Sequence, residues 1–95
     1  MTLAINGGSS FSFSVPSGAN QCDVLSEAQK TGKITGLNMR YDSTLETNAV
    51  YQINGVGREN QVWWVYKVNG TSPSRGCSQV KVNNNDSISW TYVGN

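Results

Sequence analysis

Ten residues constrain this chain more than any others: Gln61 to Gly70, which read Q-V-W-W-V-Y-K-V-N-G. Alternate residues of a strand point to opposite faces, so Val62, Trp64, Tyr66 and Val68 share one face and Trp63, Val65 and Lys67 the other. Both faces are largely apolar, which predicts a central strand covered on two sides and not an edge strand. Asn69-Gly70 ends it, because both residues accept positive φ. The stretch holds two of the three tryptophans and one of the four tyrosines, so it is expected to supply most of the aromatic core. One tryptophan can lie in the core while its neighbour, pointing the other way, faces a ligand.

Around this strand the hydrophobic period changes only once. Leu3 and Ile5 alternate up to Asn6-Gly7-Gly8, and Phe11, Phe13 and Val15 alternate with serines beyond it, which predicts a β-hairpin. From Asn20 to Lys30 the apolar residues Val24, Leu25 and Ala28 fall on one helical face. Asn20 is suited to the N-cap, Asp23 to the first turn and Gly32 to C′, so one helix of about residues 21–31 is expected. Strand character returns from Lys33, with Ile34, Leu37, Met39 and Tyr41 as the apolar members. A polar loop over Asp42 to Asn48 follows, then a strand Ala49 to Ile53 closed by Asn54-Gly55. Gly55 to Gln61 reads as a flexible loop, Thr71 to Gly76 as a second loop, Gln79 to Val82 as a short strand and Asn83 to Asp86 as a turn. Ser87 to Val93 alternates again, with Ile88, Trp90 and Tyr92 on one side. This order, β-β-α-β-β-β-β-β, predicts an α+β fold: a β-grasp-like mixed sheet of about five to seven short strands with one helix after the N-terminal hairpin.

Length and charge narrow the class. Ninety-five residues make one domain with a modest core. Charged residues are 14% and the net charge is +1, too little field to expect nucleic acid or an anionic membrane as partner. No apolar run approaches the roughly eighteen residues of a membrane span. The low charge and abundant Gly, Ser, Thr and Asn read as a secreted or surface domain. The chain opens M-T-L-A-I-N-G-G with no signal peptide, and is expected to be one domain of a larger exported protein. Cys22 and Cys77 are the two cysteines. The even count and the surface-type composition favour one disulfide over two reduced, unrelated thiols.

No catalytic set is present. The chain has no histidine, so the commonest general base is missing. The acids Asp23, Glu27, Asp42, Glu46, Glu59 and Asp86 are scattered, and neither cysteine has an imidazole to activate it. Two cysteines without histidine do not assemble a usual zinc shell. Gly7-Gly8 and Gly55-Val56-Gly57 lack the strand–helix context of a phosphate loop. The expectation is therefore a non-enzymatic binding module. Its candidate surface is the pair of loops flanking the tryptophan strand, Gly55–Gln61 and Gly70–Gly76, with aromatics behind them.

Several of these residues also form a familiar pattern. Ile53-Asn54-Gly55-Val56, Trp63-Trp64-Val65-Tyr66-Lys67-Val68-Asn69-Gly70, Gly76, and Asn85-Asp86-Ser87-Ile88-Ser89-Trp90-Thr91-Tyr92 resemble the transcobalamin C-terminal-like domain family. Pro16-Ser17-Gly18-Ala19 with Val24, Leu25 and Ala28 is similar to that family's pre-helix turn and helix. The family includes the small β-domain of the animal cobalamin carriers (transcobalamin, intrinsic factor, haptocorrin) and many bacterial surface or secreted proteins of unassigned function. The chain departs from the pattern at Ser72 and Pro73, where Pro then an apolar residue is frequent. It departs also at Val80, Cys77 and Asn85. The resemblance implies a β-grasp-type fold, and in the carriers such a domain covers one face of the corrinoid through loops around the tryptophan strand.

Two functions follow as expectations. One is a non-catalytic surface or secreted interaction module of a larger bacterial protein, partnered by the other domains of that protein. The other, implied by the resemblance, is a corrinoid-binding domain acting through Arg58, Trp63, Trp64, Gly70, Ser72, Pro73 and Gly76. Neither requires a cofactor; cobalamin would be the ligand.

Overall fold

The computed structural model describes residues 1–94. Its strands are β1 (Thr2–Ile5), β2 (Phe11–Ser12), β3 (Asn38–Asp42), β4 (Thr47–Ile53), β5 (Val56–Gly57), β6 (Trp64–Val68) and β7 (Ser87–Tyr92). A single α-helix, α1 (Gln21–Lys30), follows the first hairpin, and a 3-10 turn spans Cys77–Gln79. The fold is α+β, as its element order predicts. The strands divide between a mixed four-stranded sheet, β2-β1-β7-β6, and an antiparallel three-stranded sheet, β3-β4-β5. In the larger sheet β1 runs parallel to β7, with Leu3 beside Ile88 and Ile5 beside Trp90.

The helix forms where its caps place it. Asn20 accepts from the backbone N–H of Asp23 at 2.9 Å, and Asp23 Oδ2 accepts from the N–H of Asn20 at 2.9 Å, a reciprocal capping box. At the other end Gly32 N–H donates to Gln29 and Lys33 N–H to Ala28, the Schellman pattern. Between them Cys22, Val24, Leu25 and Ala28 are buried. They pack with Leu3, Ile34, Ile53, Ile88, Trp64 and Trp90 into one core.

Cys22 and Cys77 are joined in a disulfide across a sequence separation of 55, with both residues buried and their Cα atoms 4.9 Å apart. The bridge ties the first turn of α1 to the 3-10 turn. That turn is also bound to the start of β4: Ser78 N–H donates to Thr47 Oγ1 at 3.0 Å, and Asn48 N–H donates to Ser78 Oγ at 2.9 Å. At Gly76 there is no room for a side chain, since a Cβ would collide with Thr47. Helix, 3-10 turn and second sheet are thereby locked together at one point.

Four local expectations are corrected. The tryptophan strand is not central: β6 pairs only with β7 and stands at the edge of its sheet. Its Val65 face is open to solvent, with Val65 46% exposed. Alternation reveals two faces but not what lies on each. Second, Gln79 to Val82 is not a strand; its backbone is taken by the 3-10 turn and by a single bridge of Lys81 to Asn20. Third, Gly55 to Gln61 is not a flexible loop. Asn54 and Gly55, at φ of 55° and 75°, make a two-residue hairpin turn from β4 into β5, and Arg58 then bridges to Gln61. Fourth, the strand expected from Lys33 begins only at Asn38, because the Schellman turn and the Asn54 contacts hold Thr35 outside any ladder.

Candidate functional site

Between β6 of one sheet and β4 of the other lies a groove of about 310 Å³, whose lining includes Cys77 of the disulfide. Trp64, Tyr66 and Trp90 lie along β6 and β7 in this groove, and Ala49 and Val50 of β4 face them. The aromatic row follows from the ladder register, which sets Trp64 opposite Tyr92 and Tyr66 opposite Trp90. Tyr66 stacks on Trp90 with centroids 4.9 Å apart and planes at 20°, and Trp64 tilts against Tyr92 at 5.5 Å.

Two of the three rings are held by a polar anchor. Trp64 Nε1–H donates to the carbonyl of Val56 at 2.9 Å, so the β4–β5 hairpin fixes the indole. Gly57, at φ +127°, makes this approach feasible; a Cβ there would collide with the Tyr51 carbonyl. Tyr66 OH donates to the carbonyl of Arg75 at 2.8 Å, and burial pushes its phenol above the ordinary value of 10.0. The ring is therefore neutral throughout the physiological range. Trp90 Nε1 is buried with no hydrogen-bond partner among the described residues.

The rim is apolar on two sides and cationic on a third. Leu45, in the β3–β4 turn, is 50% exposed and Val62 is 41% exposed, and both line the groove. Leu45, Val62 and the half-buried Tyr66 are the accessible apolar surface, backed by Trp64 and Trp90, which are each only 3% exposed. Such a surface suits the face of a flat, partly apolar molecule. Arg75 and Gly76 close one end, next to the disulfide-tied 3-10 turn.

Of the residues singled out from sequence, Trp64 and Gly76 line the groove. Arg58 and Trp63 are brought together elsewhere, with the guanidinium 5.8 Å from the Trp63 ring and Gly94 packed on the indole's other atoms. Gly70 sits in the turn after β6, where Thr71 bridges back to Val68. Ser72 is exposed and Pro73 half-buried, and neither is in the groove lining. The loop after β6 does contribute, through Ser74, Arg75 and Gly76, while the loop before it contributes only its far neighbour Val62. Tyr66 and Trp90 were missed as site residues, although the alternation placed Tyr66 on the same face as Trp64 and Trp90 on one side with Ile88 and Tyr92. Leu45 carried no signal, being one apolar residue in a polar turn.

A family profile described as Domain of unknown function (DUF4430) matches residues 18–94. No curated protein matches the chain. Among solved structures the chain is similar to haptocorrin, in a crystal structure in complex with Cbi, with a TM-score of 0.75 and 21% sequence identity. That likeness covers 96% of this chain but 24% of the haptocorrin chain, so the fold corresponds to about a quarter of the larger protein. The chain belongs to the DUF4430 family and folds as a transcobalamin-like domain.

Proposed function

We propose that this domain is a non-catalytic ligand-binding module of a larger exported protein, and that its groove covers one face of a corrinoid or a similarly flat amphipathic molecule. One observation carries the reading. Exposed Leu45 and Val62 converge over Trp64, Tyr66 and Trp90 in a concavity that the protein's own side chains leave unfilled. Its volume of about 310 Å³ is at the low end of the roughly 300–1,000 Å³ typical of ligand pockets. A groove of that size takes part of a corrinoid and cannot enclose it, so the ligand's other face falls to a second domain. Haptocorrin, whose fold the chain shares over about a quarter of that protein, was solved in complex with Cbi, which supports the ligand class. The disulfide is compatible with an extracellular setting, as is the absence, among the described residues, of a helix long and apolar enough to cross a membrane.

The test is a titration of intrinsic tryptophan fluorescence with cobalamin and cobinamide. The expected outcome is saturable quenching, beyond inner-filter correction, that Leu45→Asp and Val62→Asp weaken at least tenfold with the far-UV spectrum unchanged. Titrations that stay flat for both ligands refute the corrinoid assignment for the isolated domain and favour an interaction module without a small ligand.

A further inference from the structure

The groove's charge is as one-sided as its shape. Its lining contains one charged residue, Arg75, and no aspartate or glutamate. Arg75 is exposed, and its backbone carbonyl already holds the Tyr66 hydroxyl, which sets the residue's position at the end of the aromatic row. Its guanidinium makes no hydrogen bond, ion pair or ring contact among the described residues. The other two arginines differ: Arg40 lies over the Tyr51 ring at 4.1 Å and donates to the Glu59 carbonyl, and Arg58 lies over Trp63. Tyr66 stays protonated, so the lining carries no negative charge near neutral pH.

A largely apolar groove whose lining includes one unpaired arginine suits an apolar or planar body that also carries an anionic oxygen group. Planar guanidinium pairs with carboxylate, phosphate or sulfonate in two-point, charge-assisted geometry. Building on the groove reading above, we infer that Arg75 makes the groove selective for anionic amphiphiles over neutral ones of the same shape. Within the corrinoids this favours cobalamin, whose nucleotide loop carries a phosphodiester, over cobinamide, which lacks it.

Two probes with one aromatic body test this: 1-anilinonaphthalene-8-sulfonate, an anion, and N-phenyl-1-naphthylamine, which is uncharged. Both are titrated against the wild type, Arg75→Gln, Leu45→Asp and Lys33→Gln, the last removing an exposed cation outside the groove lining. Arg75→Gln should weaken the sulfonate roughly tenfold, the scale of one charge-assisted contact, and leave the neutral probe within about twofold. Leu45→Asp should weaken both probes, and Lys33→Gln neither. Equal losses of both probes in Arg75→Gln, no loss of the sulfonate, insensitivity to Leu45→Asp, or no saturable binding of either probe would each overturn the inference. The corrinoids form a separate arm. If neither cobalamin nor cobinamide binds while the sulfonate preference holds, the corrinoid assignment fails and the anion selectivity stands.

Discussion

At the scale of single residues, two glycines and one tyrosine decide the geometry of the groove. Gly57 and Gly76 are both points where another strand comes too near for a side chain: the Tyr51 carbonyl in one case, Thr47 in the other. Gly57 also has a backbone angle that L-residues rarely adopt, so Gly57→Ala combines strain with overpacking. It should lower stability by about 2–4 kcal/mol, read from urea midpoints, and shift the Trp64 emission as the indole leaves the Val56 carbonyl. Tyr66 gives a prediction with a definite sign. Its folded pKa is raised above 10.0 by burial, so below pH 10 folded and unfolded chains both hold the proton. Above that, the unfolded chain releases the proton first, and stability falls as pH rises toward the folded pKa. Urea midpoints compared at pH 9 and pH 11 should drop further for the wild type than for Tyr66→Phe, which has no proton to lose. At pH 9 Tyr66→Phe should itself be about 1 kcal/mol less stable, for loss of the bond to the Arg75 carbonyl.

At the scale of elements, α1 is the piece whose stability is most local. Its capping box satisfies two N-terminal groups reciprocally, and its Schellman turn satisfies the last carbonyls. Asn20→Ala should cost about 1 kcal/mol, and amide exchange should speed first at Asp23, whose N–H loses its side-chain acceptor and keeps only the Asn20 carbonyl. Asn20→Asp keeps the acceptor and should be close to neutral. The β6–β7 hairpin is the corresponding unit on the sheet side. Asn69 closes it by accepting from Ser87 N–H at 2.9 Å and donating to the buried Asp86 at 3.1 Å. That pairing holds the aromatic ladder in register, and with it the spacing of Trp64, Tyr66 and Trp90 along the groove.

At the scale of the molecule, the Cys22–Cys77 bridge adds a covalent tie between parts that already share one core. It connects α1 to the 3-10 turn, which is hydrogen-bonded to β4 and continues into the groove wall at Gly76 and Arg75. For a closed segment of this length the entropic stabilisation is about 4 kcal/mol, a large share of what a 95-residue domain can hold. Replacing both cysteines by serine should therefore lower the unfolding free energy by roughly 2–4 kcal/mol in urea. Where the variant still folds, ligand or probe binding in the groove should weaken as well. A variant with wild-type stability would show that the hydrogen bonds around Ser78 alone hold the turn in place.

The local elements were legible from sequence because their causes are local. Asn20, Asp23 and Gly32 bracket the helix within a few residues of it, and the Asn-Gly pairs at 6–7, 54–55 and 69–70 mark turns by their tolerance of positive φ. The strand of Trp64, with Trp64 and Tyr66 on one face, and the last strand, with Ile88, Trp90 and Tyr92 on one side, could be read from a period of two. What that period could not say is which sheet edge β6 occupies, because edge and centre differ in partners and not in alternation. Nor could it show that Val56-Gly57 forms a strand, a conformation stabilised by the backbone of β4 and by the Trp64 indole. The groove depends on the same long-range information. It lies between two sheets that share no ladder, and brings Leu45, Val62 and Arg75 together from three separate parts of the chain. Sequence alone determined the pieces and their order, since capping, turn chemistry and alternation act over a few residues. Only the tertiary structure decided the site, since a concave surface arises from how distant segments pack and from the space they fail to fill.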